Sequence, residues 1–160
     1  MSHNPRHLHR QLCFLFYVSS KEVIKKYTAH LKQYNLTYTG YITLISIGDE
    51  EILNIKQLGD RIYLNSGTLT PLIKKLVSQG LVEKVRDTQD ERNLKLSLTD
   101  SGKQLKQQLK SLSENIYEEL SIEDEDMMIL TDVLGRFIDN NFPHTKPCRE
   151  KYKKACQNKE

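Results

Sequence analysis

The 160-residue sequence has no tryptophan, only three cysteines and no long apolar run. No stretch approaches the roughly 18 apolar residues that a membrane-spanning helix requires. Residues 1–11 lack the apolar segment of a signal peptide, so we expect a cytoplasmic protein that is not bound to a membrane. Three cysteines without CxxC spacing form neither a disulfide framework nor a structural zinc site. We therefore predict no metal and no cofactor.

An excess of charge of either sign is also lacking. The chain has 24 Lys and Arg against 21 Asp and Glu, which gives a formal net charge of +3. Such a weak excess does not indicate a nucleic-acid partner, which must be recognised from the local distribution of charge. The length is that of one domain and is sufficient to bury a hydrophobic core.

The most informative stretch is residues 53–98, whose centre predicts an amphipathic helix. The apolar side chains at helical spacing form a core stripe: Leu69, Leu72, Ile73 and Leu76. The other surface carries small hydroxyls followed by two cations: Ser66, Thr68, Thr70, Lys74 and Lys75. Small polar residues at the start of a helix can approach base edges, and cations further along can reach phosphates.

The limits of this helix follow from its capping residues. Ser66 and Thr68 are the candidate N-caps. Pro71 has no N–H to donate and fits only near the first turn, which favours a start near Thr68 or a kink. Gly80 is the stop signal.

The flanking segments predict a winged helix-turn-helix. Residues 54–62 form a short helix, and a turn at residues 63–65 separates it from the second helix. After Gly80 the period changes to two, which predicts strands at residues 82–87 and 94–99 around a polar tip. The alternative is a small helical core with a surface hairpin that binds no ligand.

Further helices are predicted at both ends of the chain. They cover residues 12–32 and 39–47, a long helix from an N-cap at Thr99 to Leu120, and, after a capping box at residues 121–124, a helix to about Asn140. Their apolar surface exceeds what one winged domain can bury. We therefore predict a mainly α fold with a small β-hairpin wing, in which both ends of the chain form a dimerisation region.

The chain is thus divided into four parts. Residues 1–38 hold the N-terminal helix with its connection, residues 39–99 the winged helix-turn-helix, and residues 100–142 the C-terminal dimerisation helices. Residues 143–160 form a basic tail that we expect to be disordered.

The first helix places Cys13 in a tyrosine-rich region, with five of the eight tyrosines between Tyr17 and Tyr41. In one interpretation Cys13 is a small buried hydrophobe and the tyrosines are core residues. In the other, phenolic donors stabilise a thiolate near the surface, which a peroxide oxidises to a sulfenic acid. The residues alone leave both open.

To about residue 142 the chain resembles the MarR family of dimeric winged-helix transcription regulators. The motifs are residues 64–72 (LNSGTLTPL), the wing tip Asp90-Glu91-Arg92 and residues 98–102 (LTDSG). Residues 11–22 (QLCFLFYVSSKE) and 36–38 (LTY) resemble the organic-hydroperoxide branch of that family, OhrR. The resemblance implies a DNA-binding regulator and not an enzyme.

In that branch the N-terminal cysteine senses peroxide, which implies this role for Cys13. The resemblance also implies that Tyr27 and Tyr38 from the second subunit hold the thiolate, with Tyr17 close by. Some members carry a resolving cysteine in the long helix after the wing, but no cysteine occurs here between residues 14 and 147. The chain therefore looks like a one-cysteine sensor that is resolved by a low-molecular-weight thiol. Two further cysteines are possible secondary thiols: Cys148 and Cys156.

The expected target is double-stranded DNA with a roughly palindromic operator. The two recognition helices would occupy successive major grooves about 34 Å apart. Ser66, Thr68 and Thr70 would contact bases or phosphates, and Lys74 and Lys75 would contact phosphates.

The wing supplies the remaining predicted contacts. Arg92 would enter the minor groove, with Asp90 either orienting it or simply solvated. Three further cations would neutralise phosphates or be solvated: Lys84, Arg86 and Lys95. Oxidation of Cys13 would reorient the wings and lower the affinity for DNA.

Three other functions stay open at this point. The chain could respond to a phenolic ligand bound between the dimerisation and DNA-binding regions. It could use Cys13 catalytically as a thiol peroxidase, although no associated base is evident. Its winged helix could bind a protein instead of DNA.

Overall fold

The computed structural model describes residues 11–85 and 95–142, which form a mainly helical chain with a small sheet. The helices are α1 (Leu12–Leu31), α2 (Tyr38–Ser46), α3 (Ile55–Ile62), α4 (Ser66–Ser78), α5 (Asp100–Gln108), α6 (Leu112–Glu119) and α7 (Asp124–Asn141). The strands are β1 (Leu53–Asn54), β2 (Val82–Val85) and β3 (Lys95–Leu98). A short 3-10 turn, Lys32–Tyr34, follows α1. The predicted fold class is confirmed.

The sheet has three antiparallel strands in the order β1-β3-β2. The hairpin was predicted, and β2 pairs with β3 from Val82↔Leu98 to Val85↔Lys95. The third strand was not predicted: Leu53 pairs with Leu96. Two residues are too short to show a period of two, so this strand could not be recognised from the sequence. It joins the base of the wing to the helices.

The helix-turn-helix depends on two asparagine caps. Asn54 and Gln57 form a reciprocal capping box at the start of α3, with two hydrogen bonds of 2.8 Å. At the start of α4, the side chain of Asn65 accepts a hydrogen bond of 2.9 Å from the Thr68 amide. The predicted caps Ser66 and Thr68 are therefore wrong, because both lie inside α4.

The predicted start of this helix near Thr68, which would place Pro71 near the first turn, is also wrong, because α4 begins at Ser66. The other alternative, a kink, stays a prediction. Pro71 is the sixth residue of α4. Proline removes the hydrogen bond to the carbonyl four residues earlier, which belongs to Gly67. Both residues are exposed, so water can satisfy that carbonyl.

The long helix predicted after the wing is divided into α5 and α6. Its N-cap is confirmed, since Thr99 Oγ1 accepts a hydrogen bond of 3.0 Å from the Gly102 amide. Between the helices, Lys110 N donates to Gln107 O and Leu112 N to Leu109 O, at 3.3 and 3.1 Å. These bonds span three residues and tighten the chain into a 3-10-type turn. The apolar stripe continues across the turn, which explains why its spacing did not reveal the division.

The predicted capping box at residues 121–124 does not form. Ser121 has a left-handed backbone with φ 52°. Glu123 is the N-cap of α7 and makes no capping hydrogen bond with its side chain. Carboxylates at Asp124, Glu125 and Asp126 instead complement the positive end of the helix dipole.

One hydrophobic core joins the second half of α1 to α2–α6 and the sheet. Its members extend along the chain from Tyr27 to Ile116. By contrast, α7 has no buried residue over its 18 positions, and the first half of α1 is mostly exposed. Within the described part of the chain, no helix is long and apolar enough to cross a membrane.

Candidate functional site

The outer surface of α4 presents the polar residues that the sequence singled out. Its inner stripe is buried at Leu69, Ile73 and Leu76. All five predicted contact residues are exposed: Ser66, Thr68, Thr70, Lys74 and Lys75. The structure therefore brings the hydroxyls and the cations onto the surface of one helix.

Local hydrogen bonds hold two of these hydroxyls in place. Thr68 Oγ1 lies 3.2 Å from Asn65 Oδ1, and Thr70 Oγ1 donates to the Ser66 carbonyl at 2.7 Å. Their donors are thus engaged, and each oxygen remains able to accept a further bond. Among residues 11–85 and 95–142, no ion pair involves Lys74 or Lys75.

The wing is described only at its base. Lys84 is exposed on β2, and Lys95 is partly buried on β3. The other predicted wing contacts lie outside the described residues: Arg86, Asp90 and Arg92. Their assigned roles remain predictions.

A two-bond Arg–Glu contact connects α3 of the helix-turn-helix to the turn that precedes β1. Arg61 on α3 meets Glu51 through Nη1–Oε2 and Nη2–Oε1 distances of 2.7 and 2.6 Å. Glu51 also accepts a bond of 2.8 Å from the Gly48 amide, and Arg61 donates to the Ser46 carbonyl. The hydrogen bonds from Arg61 to Glu51 raise the pKa of the guanidinium. Glu51 belongs to an acidic turn, residues 48–51 (GDEE), and no local pattern in the sequence identifies Arg61 as its partner.

The same acidic turn is tied to α5. Lys103 Nζ lies 2.7 Å from Glu50, and Lys106 Nζ lies 2.8 Å from Asp49 and 2.6 Å from the Ile47 carbonyl. The bond from Lys106, followed by its charge, lowers the pKa of Asp49. Residues 47–51 thus connect α5 to the helix-turn-helix.

Cys13 is the second residue of α1 and is exposed. Its Sγ lies 3.9 Å from Oε1 of Gln11. Tyr17, one turn further along α1, is 61% exposed. In the single chain Cys13 is therefore not the small buried hydrophobe of the first interpretation.

Three tyrosines cluster where α1 meets α2. The ring centroids lie 5.1 Å apart for Tyr27–Tyr38, 5.4 Å for Tyr27–Tyr41 and 6.4 Å for Tyr38–Tyr41. Burial, followed by the nearby Tyr117 on α6, raises the pKa of Tyr38. Burial raises that of Tyr41 too, with contributions from Tyr38 and Tyr117. These two phenols therefore stay protonated at neutral pH.

The resemblance implied sensor roles for Tyr27 and Tyr38, but not for Tyr41, the third member of this cluster, or for the nearby Tyr117. Tyr41 follows Tyr38 by three residues on α2, a spacing that places both on one side of a helix. That spacing could have identified Tyr41 as a neighbour of Tyr38 from the sequence alone. Tyr117 lies near these tyrosines because α6 packs on α1. No local pattern in the sequence predicts that packing.

The four predicted sensor residues are not brought together in one chain. Cys13 and Tyr27 lie fourteen positions apart on α1, or about 21 Å at 1.5 Å per residue. The structure unites Tyr27 with Tyr38, and leaves Cys13 and Tyr17 at the far end of the helix.

That end of α1 lies beside α7, and both helices expose large apolar side chains. The Phe16 and Phe137 ring centroids are 5.9 Å apart. On α1 the exposed apolar residues include Leu12, Leu15, Phe16, Tyr17, Val18 and Ile24. On α7 they are Met128, Ile129, Leu130, Val133, Leu134 and Phe137. An apolar surface of this extent marks an interaction site.

No cluster in the described residues is arranged to bind a metal, since no group of three or more His, Cys, Asp and Glu is suitably placed.

Comparison with known proteins decides the family. A family model described as transcriptional regulator SarA/Rot matches residues 18–109. The regulator SarZ of Staphylococcus epidermidis is 53% identical over 139 residues, which cover 87% of this chain and 94% of that protein. The chain belongs to the SarA/Rot family of transcriptional regulators. This SarA/Rot-family member is thus a regulator and not an enzyme, as the sequence predicted.

Solved structures place this SarA/Rot-family chain among MarR-type winged-helix proteins. Reduced AbfR bound to DNA is 28% identical, with a TM-score of 0.67 over 86% of this chain and 96% of that chain. Reduced MarR from E. coli shares the fold at 21% identity, with a TM-score of 0.69 over 80% of this chain and 96% of that one. The MarR-type fold that the resemblance implied is confirmed.

Proposed function

We propose that this regulator binds operator DNA as a homodimer and releases it when an organic hydroperoxide oxidises Cys13. One observation carries the proposal. Cys13 lies on an exposed apolar end of α1, whereas the buried phenols suited to hold its thiolate lie about 21 Å away along the same helix. The sensor site is therefore complete only if a second subunit supplies the phenols.

The exposed apolar surfaces of α1 and α7 support the dimer. Leu12 is 64% exposed and Met128 is 56% exposed, although both belong to helices with regular apolar spacing. A twofold axis would bury the same surface on both subunits. It would also bring Cys13 of each subunit towards the tyrosine cluster of the other.

The surface of α4 supports DNA binding. The N-terminal residues of a recognition helix contact base edges, and Ser66, Thr68 and Thr70 are exposed there. Lys74 and Lys75 follow one to two turns later, where phosphates lie. The related AbfR, at 28% identity, has been solved in complex with DNA. Arg92 in the minor groove, oriented by Asp90, and phosphate contacts from Lys84, Arg86 and Lys95 belong to the same proposal.

The chemistry of release begins with the Cys13 thiolate, which hydrogen bonds from phenols favour. Its sulfur attacks the terminal oxygen of the hydroperoxide, the O–O bond breaks, and the leaving alkoxide takes up a proton to become an alcohol. A low-molecular-weight thiol then condenses with the sulfenic acid, which gives a mixed disulfide and water. The loss of a negative charge and the added bulk at the dimer junction alter the angle between the two α4 helices.

A gel-shift assay with the DNA upstream of the chain's own gene tests the proposal. The wild-type protein should bind without peroxide and release the DNA after treatment with cumene hydroperoxide. Cys13→Ser should bind equally well and remain bound. Cys148→Ser/Cys156→Ser, which changes the two thiols outside the described residues, should still release the DNA when a small thiol is supplied.

The second candidate signal is a phenolic ligand, and a small cleft is the candidate place for it. This cleft has a volume of about 130 Å³ between the end of α1 and the α5–α6 turn, and His30, Tyr34, Gln108 and Asn115 are among its lining residues. If a ligand there were the signal, Cys13→Ser would release DNA as the wild type does, and salicylate would release it without peroxide.

A further inference from the structure

We propose that Tyr41 donates a hydrogen bond to the oxygen that leaves the hydroperoxide when Cys13 of the second subunit is oxidised. This role rests on the proposed function and adds one residue to its chemistry. The demands of the reaction, the arrangement of the tyrosine rings and the position of the Tyr41 hydroxyl each support it.

The reaction needs a donor at a second place besides the sulfur. The Cys13 sulfur attacks the terminal oxygen of the hydroperoxide, and the electron pair of the O–O bond moves to the other oxygen, which leaves as an alkoxide. That oxygen lies on the far side of the attacked oxygen from the sulfur, so the phenols that hold the thiolate do not reach it. A donor placed there lowers the barrier, because its bond strengthens as the negative charge develops. The proton that the alkoxide takes up is then restored to the phenol from water.

Tyr41 is the phenol next to the pair that is proposed to hold the thiolate. Its ring centroid lies 5.4 Å from that of Tyr27 and 6.4 Å from that of Tyr38, which are themselves 5.1 Å apart. The three rings therefore form a triangle with Tyr41 at its third corner. A third donor a few ångströms from the first two suits a leaving oxygen that is two bonds away from the sulfur.

The Tyr41 hydroxyl is available for such a bond. In residues 11–85 and 95–142, Gln79 Oε1 is the one buried side-chain polar atom that lacks a hydrogen-bond partner. The Tyr41 hydroxyl makes no hydrogen bond within those residues either, so its oxygen is not buried and reaches the surface of the cluster. Its donor is thus open to a molecule that approaches from outside the subunit.

The rest of Tyr41 is held firmly. Its amide donates to the Thr37 carbonyl at 2.9 Å, and Thr37 Oγ1 caps the same turn of α2 by accepting a bond of 3.1 Å from the Gly40 amide. Burial, followed by Tyr38 and Tyr117, raises the pKa of the Tyr41 phenol, which keeps its proton available. A donor that is fixed before the reaction costs no reorganisation when charge develops.

Tyr117 on α6 is the competing phenol. Its side chain is 39% exposed, whereas that of Tyr41 is 5% exposed. Water around an exposed phenol weakens its electrostatic effect, because the dielectric constant there is high. The geometry therefore favours Tyr41, and Tyr117 supplies the matched control.

The test uses the full chain with Cys148→Ser/Cys156→Ser, in which Cys13 is the only thiol. Stopped-flow measurements follow the loss of this thiol with two aromatic oxidants. Cumene hydroperoxide loses an alkoxide, which needs a proton. Perbenzoic acid loses a carboxylate, which is stable as an anion at neutral pH because a carboxyl group has a pKa of about 4. Tyr41→Phe removes the hydroxyl and keeps the ring, and Tyr117→Phe makes the same change at the control position.

Tyr41→Phe should react with cumene hydroperoxide at least about tenfold more slowly than the parent protein, less than the loss of a fully enclosed acid because water replaces the phenol in part. Its rate with perbenzoic acid should be nearly unchanged. The pH dependence of Cys13 alkylation by iodoacetamide should also be unchanged, because Tyr41 does not hold the thiolate. Tyr117→Phe should keep the parent ratio of the two rates. A misfolded variant would lose both reactions, so this ratio separates the role of the hydroxyl from damage to the fold.

Each of the other outcomes overturns the role of Tyr41. A parent ratio in Tyr41→Phe would do so while leaving the proposed function intact. Equal slowing with both oxidants would show that Tyr41 supports the thiolate or the fold and not the leaving oxygen. A lowered ratio in Tyr117→Phe alone would transfer the role to Tyr117. A parent protein whose Cys13 reacts with neither oxidant would overturn the proposed function together with the role of Tyr41.

Discussion

The rings of Tyr27 and Tyr38 lie with their centroids 5.1 Å apart, where α1 packs on α2. Tyr27 is buried, and burial is the main cause of the raised pKa of Tyr38. A raised pKa keeps the Tyr38 phenol protonated, and a protonated phenol can donate a hydrogen bond to a thiolate. In the proposed dimer, this pair would hold the anionic sulfur of Cys13 from the second subunit.

Removing either phenolic hydroxyl should slow the oxidation of Cys13. Tyr27→Phe and Tyr38→Phe keep the ring and lose the donor, so the thiolate should be less favoured and react more slowly with hydroperoxide. Stopped-flow measurement of free-thiol consumption gives the rates. Tyr34→Phe is the matched control, since Tyr34 is also partly buried but lines the cleft instead. Wild-type rates in both variants would remove the two tyrosines from the sensor.

The two cations of α4 should contribute to DNA affinity through phosphates. Lys74→Ala and Lys75→Ala should each weaken binding to all sequences and reduce the salt slope by about one. Titrations of operator and mixed-sequence DNA at several salt concentrations measure this, with Lys110→Ala as the control. A change in base preference without a change in slope would show that the lysine reads bases.

The Glu51–Arg61 pair should stabilise the helix-turn-helix. Both side chains are about one-third exposed, so solvent screening reduces their attraction. Glu51→Ala also removes the acceptor of the Gly48 amide, and the free energy of unfolding should fall by about 1–2 kcal/mol. Glu50→Ala should cost less than about 0.5 kcal/mol, because Glu50 is 88% exposed in its ion pair.

Urea denaturation of the wild type, Glu51→Ala, Arg61→Ala and the double variant Glu51→Ala/Arg61→Ala forms a double-mutant cycle. Strictly additive effects of Glu51→Ala and Arg61→Ala would show that the two side chains do not interact.

The ion pairs between Glu119 on α6 and two residues of α1, His30 and Lys26, should make the free energy of unfolding depend on pH in acid. Glu119 lies 2.5 Å from His30 Nε2 and 3.3 Å from Lys26 Nζ, and the His30 bond is the main cause of its lowered pKa. A lowered pKa in the folded state contributes stability above the unfolded value of about 4.3. That contribution is lost as the pH falls through the folded value.

Glu119→Gln should therefore flatten the fall in stability below about pH 4.3, as measured by urea denaturation at a series of pH values. Glu118→Gln, one residue away on the same helix, should keep the wild-type slope. An unchanged acid slope in Glu119→Gln would show that the link contributes nothing to folding.

Local signals predicted much of the fold. The stripe of Leu69, Ile73 and Leu76, the cap at Thr99 and the strands of the wing all follow from spacing or from one side chain beside a helix start. The pairing of Leu53 with Leu96 connects residues far apart in the sequence and leaves no local pattern. The division between α5 and α6 leaves the apolar stripe intact, so spacing alone could not show it.

Local signals in the sequence likewise predicted only part of the candidate site. The exposed α4 residues were recognisable, because one amphipathic helix determines which side faces outwards. The packing of Tyr27 on Tyr38 and Tyr41, and the contribution of Tyr117, depend on three helices meeting. The distance of Cys13 from Tyr27, by contrast, follows from their separation of fourteen residues on one predicted helix. The wing-tip roles of Asp90 and Arg92 remain predictions from the sequence.

The most direct measurement of the central claim follows oxidation and DNA release in one sample. The operator-bound protein is titrated with cumene hydroperoxide and a small thiol, and at each step the bound fraction is read by anisotropy and each cysteine by mass spectrometry. We predict that DNA release rises in proportion to modification of Cys13, while Cys148 and Cys156 are still free thiols. Release with Cys13 unmodified, and with oxidation confined to the other two cysteines, would contradict the account.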